Sequence, residues 1–166
     1  QRENHPMSKP QVRSAIKFDL FADAARKRKI ETLGDPLQII TRHIDFAHLA
    51  RVVDQLLPRG DTSKGGRPPY PTEVMVRILV LKHLYNLSDE QAEYQLLDRM
   101  SYQRFCLLTD SVNIPDRNTI WHYQQRLGAD GAAALFQALD GQLLRHGYLA
   151  RCGKIIDATL VPAPIG

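Results

Sequence analysis

The sequence predicts a mainly α-helical fold: a multi-helix domain containing a helix-turn-helix-like unit, followed by a short C-terminal β-strand. Three observations carry this reading. Apolar residues recur at helical spacing from Phe46 to Leu144. Asp, Ser and Gly stand where helices start and stop. The stretch from Gly153 to Val161 is instead β-branched and short, and Pro162 and Pro164 stop it.

The elements follow in chain order. Residues ahead of Met7 read as an upstream remnant and are set aside. Residues 15–30 are expected to form a helix with Phe18, Phe21, Ala22 and Ala25 on one side. The basic run Arg26-Lys27-Arg28-Lys29 would sit at its end, where the helix dipole favours cations. Gly34-Asp35-Pro36 interrupts it, and a short helix is expected at 36–43. Asp45 then caps a clearer one at 46–57, with Phe46, Leu49, Val52, Val53, Leu56 and Leu57 on its apolar side.

Pro58 ends that helix, and residues 59–70 (RGDTSKGGRPPY) read as a linker. Within it, Gly66-Arg67-Pro68 resembles a minor-groove hook, in which an extended Arg enters a narrow A·T groove; a plain linker is the alternative. From Pro71, placed at a first helical position, a helix runs to Asn86. Val74, Met75, Val76, Ile78, Leu79, Val80, Leu81 and Leu84 leave it little polar face, so it should be the buried centre.

Ser88 with Gln91 forms a capping box that opens a helix to 98. Ser101 begins another through Tyr102, Phe105, Leu107 and Leu108. A turn-rich stretch from Thr109 to Pro115 leads to Asp116 as the cap of a helix closed by Gly128. Asp130 opens the last helix, with Leu135, Phe136, Leu139, Leu143 and Leu144 as its stripe.

The helices at 88–98, 101–108 and 116–127 make the helix-turn-helix-like unit. At about 100° per residue, Ile120, Tyr123 and Leu127 share the side that docks on the domain. Asn118, His122 and Gln125 fall opposite, flanked by Trp121, Arg117 and Arg126. Asn and Gln pair bidentately with adenine and Arg with guanine or phosphate, so this face suits a major groove. A solvated, amide-rich face is the competing reading.

Alternation on the terminal strand puts Asp157 in an otherwise apolar row with Ile155, Thr159 and Val161. A buried carboxylate needs a cation, a hydrogen-bond partner or water, and phosphoryl-transfer sites supply divalent metal at such places. A strand-end Asp facing water is the alternative. A strand at 153–161 without its sheet is expected to be frayed, packed on the helices or paired with another chain.

Charge adds a direction. The 166 residues carry 22 Lys+Arg against 18 Asp+Glu, for a net +4. Residues 1–70 hold 13 basic against 8 acidic residues, whereas 71–127 hold 6 against 7 and 128–166 hold 3 against 3. The surplus is therefore N-terminal, and a basic arm seeks phosphate because neutralising it releases condensed counterions. No apolar run reaches the ~18–20 residues of a membrane span, and Cys106 and Cys152 form no CxxC motif. A soluble protein of a reducing compartment is expected, cytoplasmic and nucleoid-associated, with no membrane partner.

Three blocks carry a resemblance. Gly65-Gly66-Arg67-Pro68-Pro69-Tyr70 with the following helix and Leu87-Ser88-Asp89-Glu90-Gln91-Ala92-Glu93-Tyr94-Gln95-Leu96-Leu97-Asp98-Arg99 form the first. Pro115-Asp116-Arg117-Asn118-Thr119-Ile120-Trp121 with Gln125-Arg126-Leu127 form the second, and Lys154-Ile155-Ile156-Asp157-Ala158-Thr159 the third. In this order, across residues 35–164, the chain resembles the N-terminal region of insertion-sequence DDE transposases of the IS-five type. The resemblance implies a helical DNA-binding and assembly domain ahead of a ribonuclease-H-like catalytic domain. There three acidic residues hold two Mg²⁺ ions that activate water or a 3′-hydroxyl.

By position Asp157 corresponds to the first acid, catalytic and metal-binding only in the full-length enzyme. The other two are expected beyond Gly166, and one carboxylate cannot hold a metal pair ~3.5–4 Å apart, so this chain is expected to be inactive and to carry no cofactor.

The organisation read from all this is a basic arm at 1–34, a helical segment at 35–58 and a linker at 59–70. A helical DNA-binding domain at 71–150 and the start of a catalytic domain at 151–166 follow. The expected partners are double-stranded DNA at the element ends and further copies of the chain. The residues expected on DNA are Arg67, Arg117, Asn118, Trp121, His122, Gln125 and Arg126, with Arg26, Lys27, Arg28 and Lys29 from the arm. A protein-assembly module or a domesticated regulator is the alternative function.

Overall fold

The computed structural model describes residues 14–58, 66–151 and 154–157, with side chains through Tyr148. Among them the chain forms seven helices and one two-stranded hairpin, in two compact units, residues 1–33 and 34–166.

In the first unit, α1 spans Ala22–Leu33 and buries no residue. It starts later than the pattern of Phe18 and Phe21 suggests. The Asp19 carboxylate accepts from the Phe21 amide at 2.8 Å, an Asx-type turn that holds the backbone out of the helix until Ala22. Phe18 is 97% exposed, so no apolar side forms there. Because α1 runs on to Leu33, Arg26 to Lys29 lie in its middle and its last turn carries no basic residue, which removes the expected dipole contribution.

The second unit holds the core. Asp35 caps α2 (Pro36–Thr41) by accepting from the Leu37 amide at 3.0 Å, with Pro36 preset for the first turn. Asp45 caps α3 (Phe46–Leu56) through the His48 amide at 2.9 Å. Phe46, Leu49 and Val53 are buried, while Leu56, placed by spacing on the apolar side, is half exposed.

α4 (Thr72–Tyr85) is the central element: every apolar residue assigned to its interior is buried, and Asn86 ends it in the left-handed region at φ 49°. Pro71 sits one place earlier than expected, at the N-cap.

The Ser88/Gln91 capping box opens α5 (Asp89–Asp98), with reciprocal bonds of 3.1 and 2.9 Å. α6 (Met100–Phe105) starts without a side-chain cap, so Ser101 does not open it. It stops before Leu107, whose φ of 60° is non-helical. α7 (Arg117–Arg145) is capped by Asp116 through the Thr119 amide at 2.7 Å. It breaks at Gly128 (φ 70°, ψ 176°), where the sequence separates two helices. Leu135, Leu139 and Leu143 of its second half are buried, and Leu144 is half exposed.

One cluster joins Leu37, Ile44, Phe46, Leu49 and Val53 to the interiors of α4–α7, so the segment at 35–58 shares the core of the helices after residue 71. Polar groups fix its geometry. The buried Arg77 donates to Glu73 at 3.1 and 2.9 Å and to the Phe105 carbonyl at 2.8 Å, with its guanidinium 4.1 Å over the Phe46 ring. Lys82 binds Asp89 and Gln124, and Gln124 donates to Asp89 at 2.8 Å, which closes a triad between α4, α5 and α7. The buried Gln142 accepts from the Asp45 amide at 2.6 Å and donates to its carbonyl at 3.3 Å.

After the turn at His146-Gly147, β1 (Tyr148–Arg151) pairs antiparallel with β2 (Lys154–Asp157), Tyr148 opposite Asp157. The pairing thus lies within the chain, and β1 begins inside the region read as helical domain. Residues 158–166 of the expected strand and tail lie outside the described residues.

Candidate nucleic-acid interface

The first half of α7 carries the candidate site. Ile120, Tyr123 and Leu127 are buried against the core, and Asn118, Trp121, His122, Gln125 and Arg126 are exposed. The amphipathic reading of this segment therefore places the core side and the polar side as drawn from the sequence. Trp121 is 48% exposed and meets the His122 ring edge-on at 4.9 Å.

The two flanks of the polar face differ. On the side of α5, Arg117 is tied to Glu90 at 2.8 Å and to Glu93 at 3.2 Å. Its charge is spent within the protein. On the other side, Arg126 lies 5.4 Å over the Tyr123 ring and borders a cleft of about 660 Å³. Across that cleft stand Arg67, Pro68, Pro69 and Tyr70 of the linker, with Asp54 and Leu57 from the end of α3. Two sequence candidates 59 positions apart, Arg67 and Arg126, thereby line one opening. Pro68 and Pro69, whose rings fix φ, are suited to hold Arg67 in place at little entropic cost.

Electrostatics ties Arg67 to the start of the same helix. The Asp116 carboxyl is held below the usual carboxylate range, first by the Thr119 amide and hydroxyl, then by the Arg67 and Arg117 guanidinium groups. Arg67 is thus close enough to the N-terminus of α7 to act on its cap.

The connection from α6 to α7 takes eleven residues, Cys106–Asp116, longer than the three-to-four-residue turn of the compact helix-turn-helix. Leu107 and Asp110 adopt left-handed conformations within it, and Pro115 is buried before the cap.

The remaining candidates fall elsewhere. Arg26, Lys27, Arg28 and Lys29 lie on α1 in the first unit, where Arg26 pairs with Asp23 at 3.2 Å. Asp157 ends β2 with its backbone opposite Tyr148, and its side chain lies outside the described residues. Among the described residues no group of three His, Cys, Asp or Glu side chains is arranged to hold a metal ion. Nor is any helix there long and apolar enough to cross a membrane.

Sequence reasoning missed the carboxylates of α5 and the aromatic lining of the cleft. Glu90 and Glu93 stand 27 and 24 residues from Arg117, a separation at which no periodicity signals contact.

A family model described as Transposase domain (DUF772) matches residues 25–126, from the basic run on α1 to Arg126 on α7. No solved structure matches the chain.

Proposed function

The chain belongs to the transposase-domain family DUF772, and from that premise we propose that it is the DNA-recognising N-terminal region of an IS-five type DDE transposase, directed at the ends of its insertion sequence. The observation that carries this is the exposed face of α7. Asn118, His122, Gln125 and Trp121 form a strip free of core packing, and Arg126 and Arg67 border it across the cleft. In the major groove the amides would read adenine edges, while the two arginines hold phosphate or a neighbouring groove. The basic run Arg26–Lys29 would add sequence-independent phosphate contacts.

Catalysis belongs to the full-length enzyme in this reading. Asp157 would be the first of three carboxylates that hold two Mg²⁺ ions, and those ions would activate the attacking oxygen. The chain would bind as an oligomer on element ends at the nucleoid.

One observation favours a second reading, an assembly module. Glu90 and Glu93 of α5 hold Arg117 at the edge of the polar strip, which takes that flank's cation away from phosphate and suits a protein partner.

Selection of bound sequences from random duplex DNA, followed by salt-dependent binding of the winner, tests the proposal. A sequence preference lost together in Asn118→Ala and Gln125→Ala supports it. A concentration-dependent oligomer with no duplex affinity at low salt would replace it with the assembly reading.

A further inference from the structure

A second cationic hollow lies away from the α7 strip. The turn after α2, the first turn of α3 and the end of α7 enclose about 510 Å³, and none of the lining residues is shared with the Arg67–Arg126 cleft. Arg42, His43, His48, Arg145 and His146 face it, against a single carboxylate, Asp45. That carboxylate is engaged: it accepts from the His48 amide at 2.9 Å as the cap of α3. Gln142, also in the lining, is committed through both amide atoms to the Asp45 backbone.

The two arginines are not committed. Among the described residues neither Arg42 nor Arg145 forms an ion pair with a carboxylate. The imidazoles are held in place: the His43 ring sits 5.0 Å from His146 and 5.1 Å from Tyr148, between the end of α7 and the start of β1. Arg145 and His146 alone would be explained as complements to the C-terminal dipole of α7. His48 would not, because it lies in the first turn of α3, on a different element from that C-terminus. Donors from three elements, the two arginines among them, therefore converge on one space and outnumber its one carboxylate, the arrangement that favours a phosphate.

We propose that this hollow is a phosphate-binding site built from Arg42, Arg145 and the histidine cluster. A phosphodiester of bound DNA and a free phosphate present the same oxygens, and two measurements on the full chain separate them. In the first, inorganic phosphate is titrated at constant ionic strength while the imidazole C–H resonances are followed by NMR. The His43, His48 and His146 signals are expected to move and saturate together, and the Arg42→Gln/Arg145→Gln pair, both residues exposed, is expected to abolish this. In the second, duplex binding is followed against salt. If the site takes DNA backbone, the same pair lowers the slope of log affinity against log salt by about 2 and weakens all duplexes alike.

Moving resonances with an unchanged slope assign the site to free phosphate. Resonances that ignore phosphate, with an unchanged slope, overturn the site. Failure of the α7 reading would show separately, as loss of sequence preference in the parent chain with the imidazole response intact.

Discussion

Arg117 meets Glu93 twice at one atom: its main-chain N–H and its guanidinium Nε each lie 3.2 Å from the same carboxylate oxygen. The contact braces the start of α7 on α5 and draws the guanidinium off the polar strip. Arg117→Ala is therefore expected to weaken duplex binding less than Arg126→Ala. Glu93→Gln is expected to tighten binding by loosening the hold on the Arg117 guanidinium. Fluorescence anisotropy at fixed salt checks both, and a larger loss for Arg117→Ala would contradict the partition.

Arg67 and Arg126 are expected to act as phosphate contacts. Each change to Ala should reduce the salt slope by about 1 and affect all sequences similarly. Asn118→Ala and Gln125→Ala should instead cost roughly 1–3 kcal/mol on the preferred sequence and little on others. Paired titrations on preferred and scrambled duplexes distinguish the two classes.

Two of the three glycines of α7, Gly128 and Gly141, should answer oppositely to the same substitution. Gly128 has φ 70° and ψ 176°, so Gly128→Ala is expected to cost about 1–3 kcal/mol through backbone strain alone, with nothing within 4 Å of an added Cβ. Gly141 is helical with equally open space, and Gly141→Ala should stabilise by roughly 0.5–1 kcal/mol. Urea denaturation reads both.

Asp116 links the start of α7 to pH. Its native carboxyl lies below the ordinary carboxylate range, so the stability it adds is full above the unfolded value of ~3.9 and is lost as pH falls through the native one. Asp116→Ala should cost about 1 kcal/mol at neutral pH, and the gap to the parent chain should close below that window. A gap that persists in acid would mean the side chain acts otherwise than as an ionised cap.

Cys106 is fully buried, and burial pushes its thiol up to about 12. In a Cys152→Ser background, native protein at pH 8 should resist an aromatic disulfide reagent, and denatured protein should react at once. Fast native labelling would show that the α6 end opens.

The helical plan was legible because its signals are local. Ser88 with Gln91, Asp116 with Thr119, and the apolar stripe of α4 each act within a few residues. The two sides of α7 were legible for the same reason. What escaped depends on distance in the chain. Nothing near Arg77 marks it as a buried cation reaching Phe105, and nothing near Arg67 places it by Asp116. The start of α1 was misread because Phe18 and Phe21 match an amphipathic pattern, yet no core within their own unit covers them. The single terminal strand was read without Tyr148–Arg151 because four residues after a helix carry too little alternation to register.

The triad of Lys82, Asp89 and Gln124 sets how the first half of α7 points. Greasy contacts tolerate sliding, whereas an ammonium shared between a carboxylate and an amide has only one satisfactory arrangement. If α7 reads DNA as proposed, loosening Lys82 would blur discrimination among target sites before it melted the protein, although none of the three side chains lies on the polar strip.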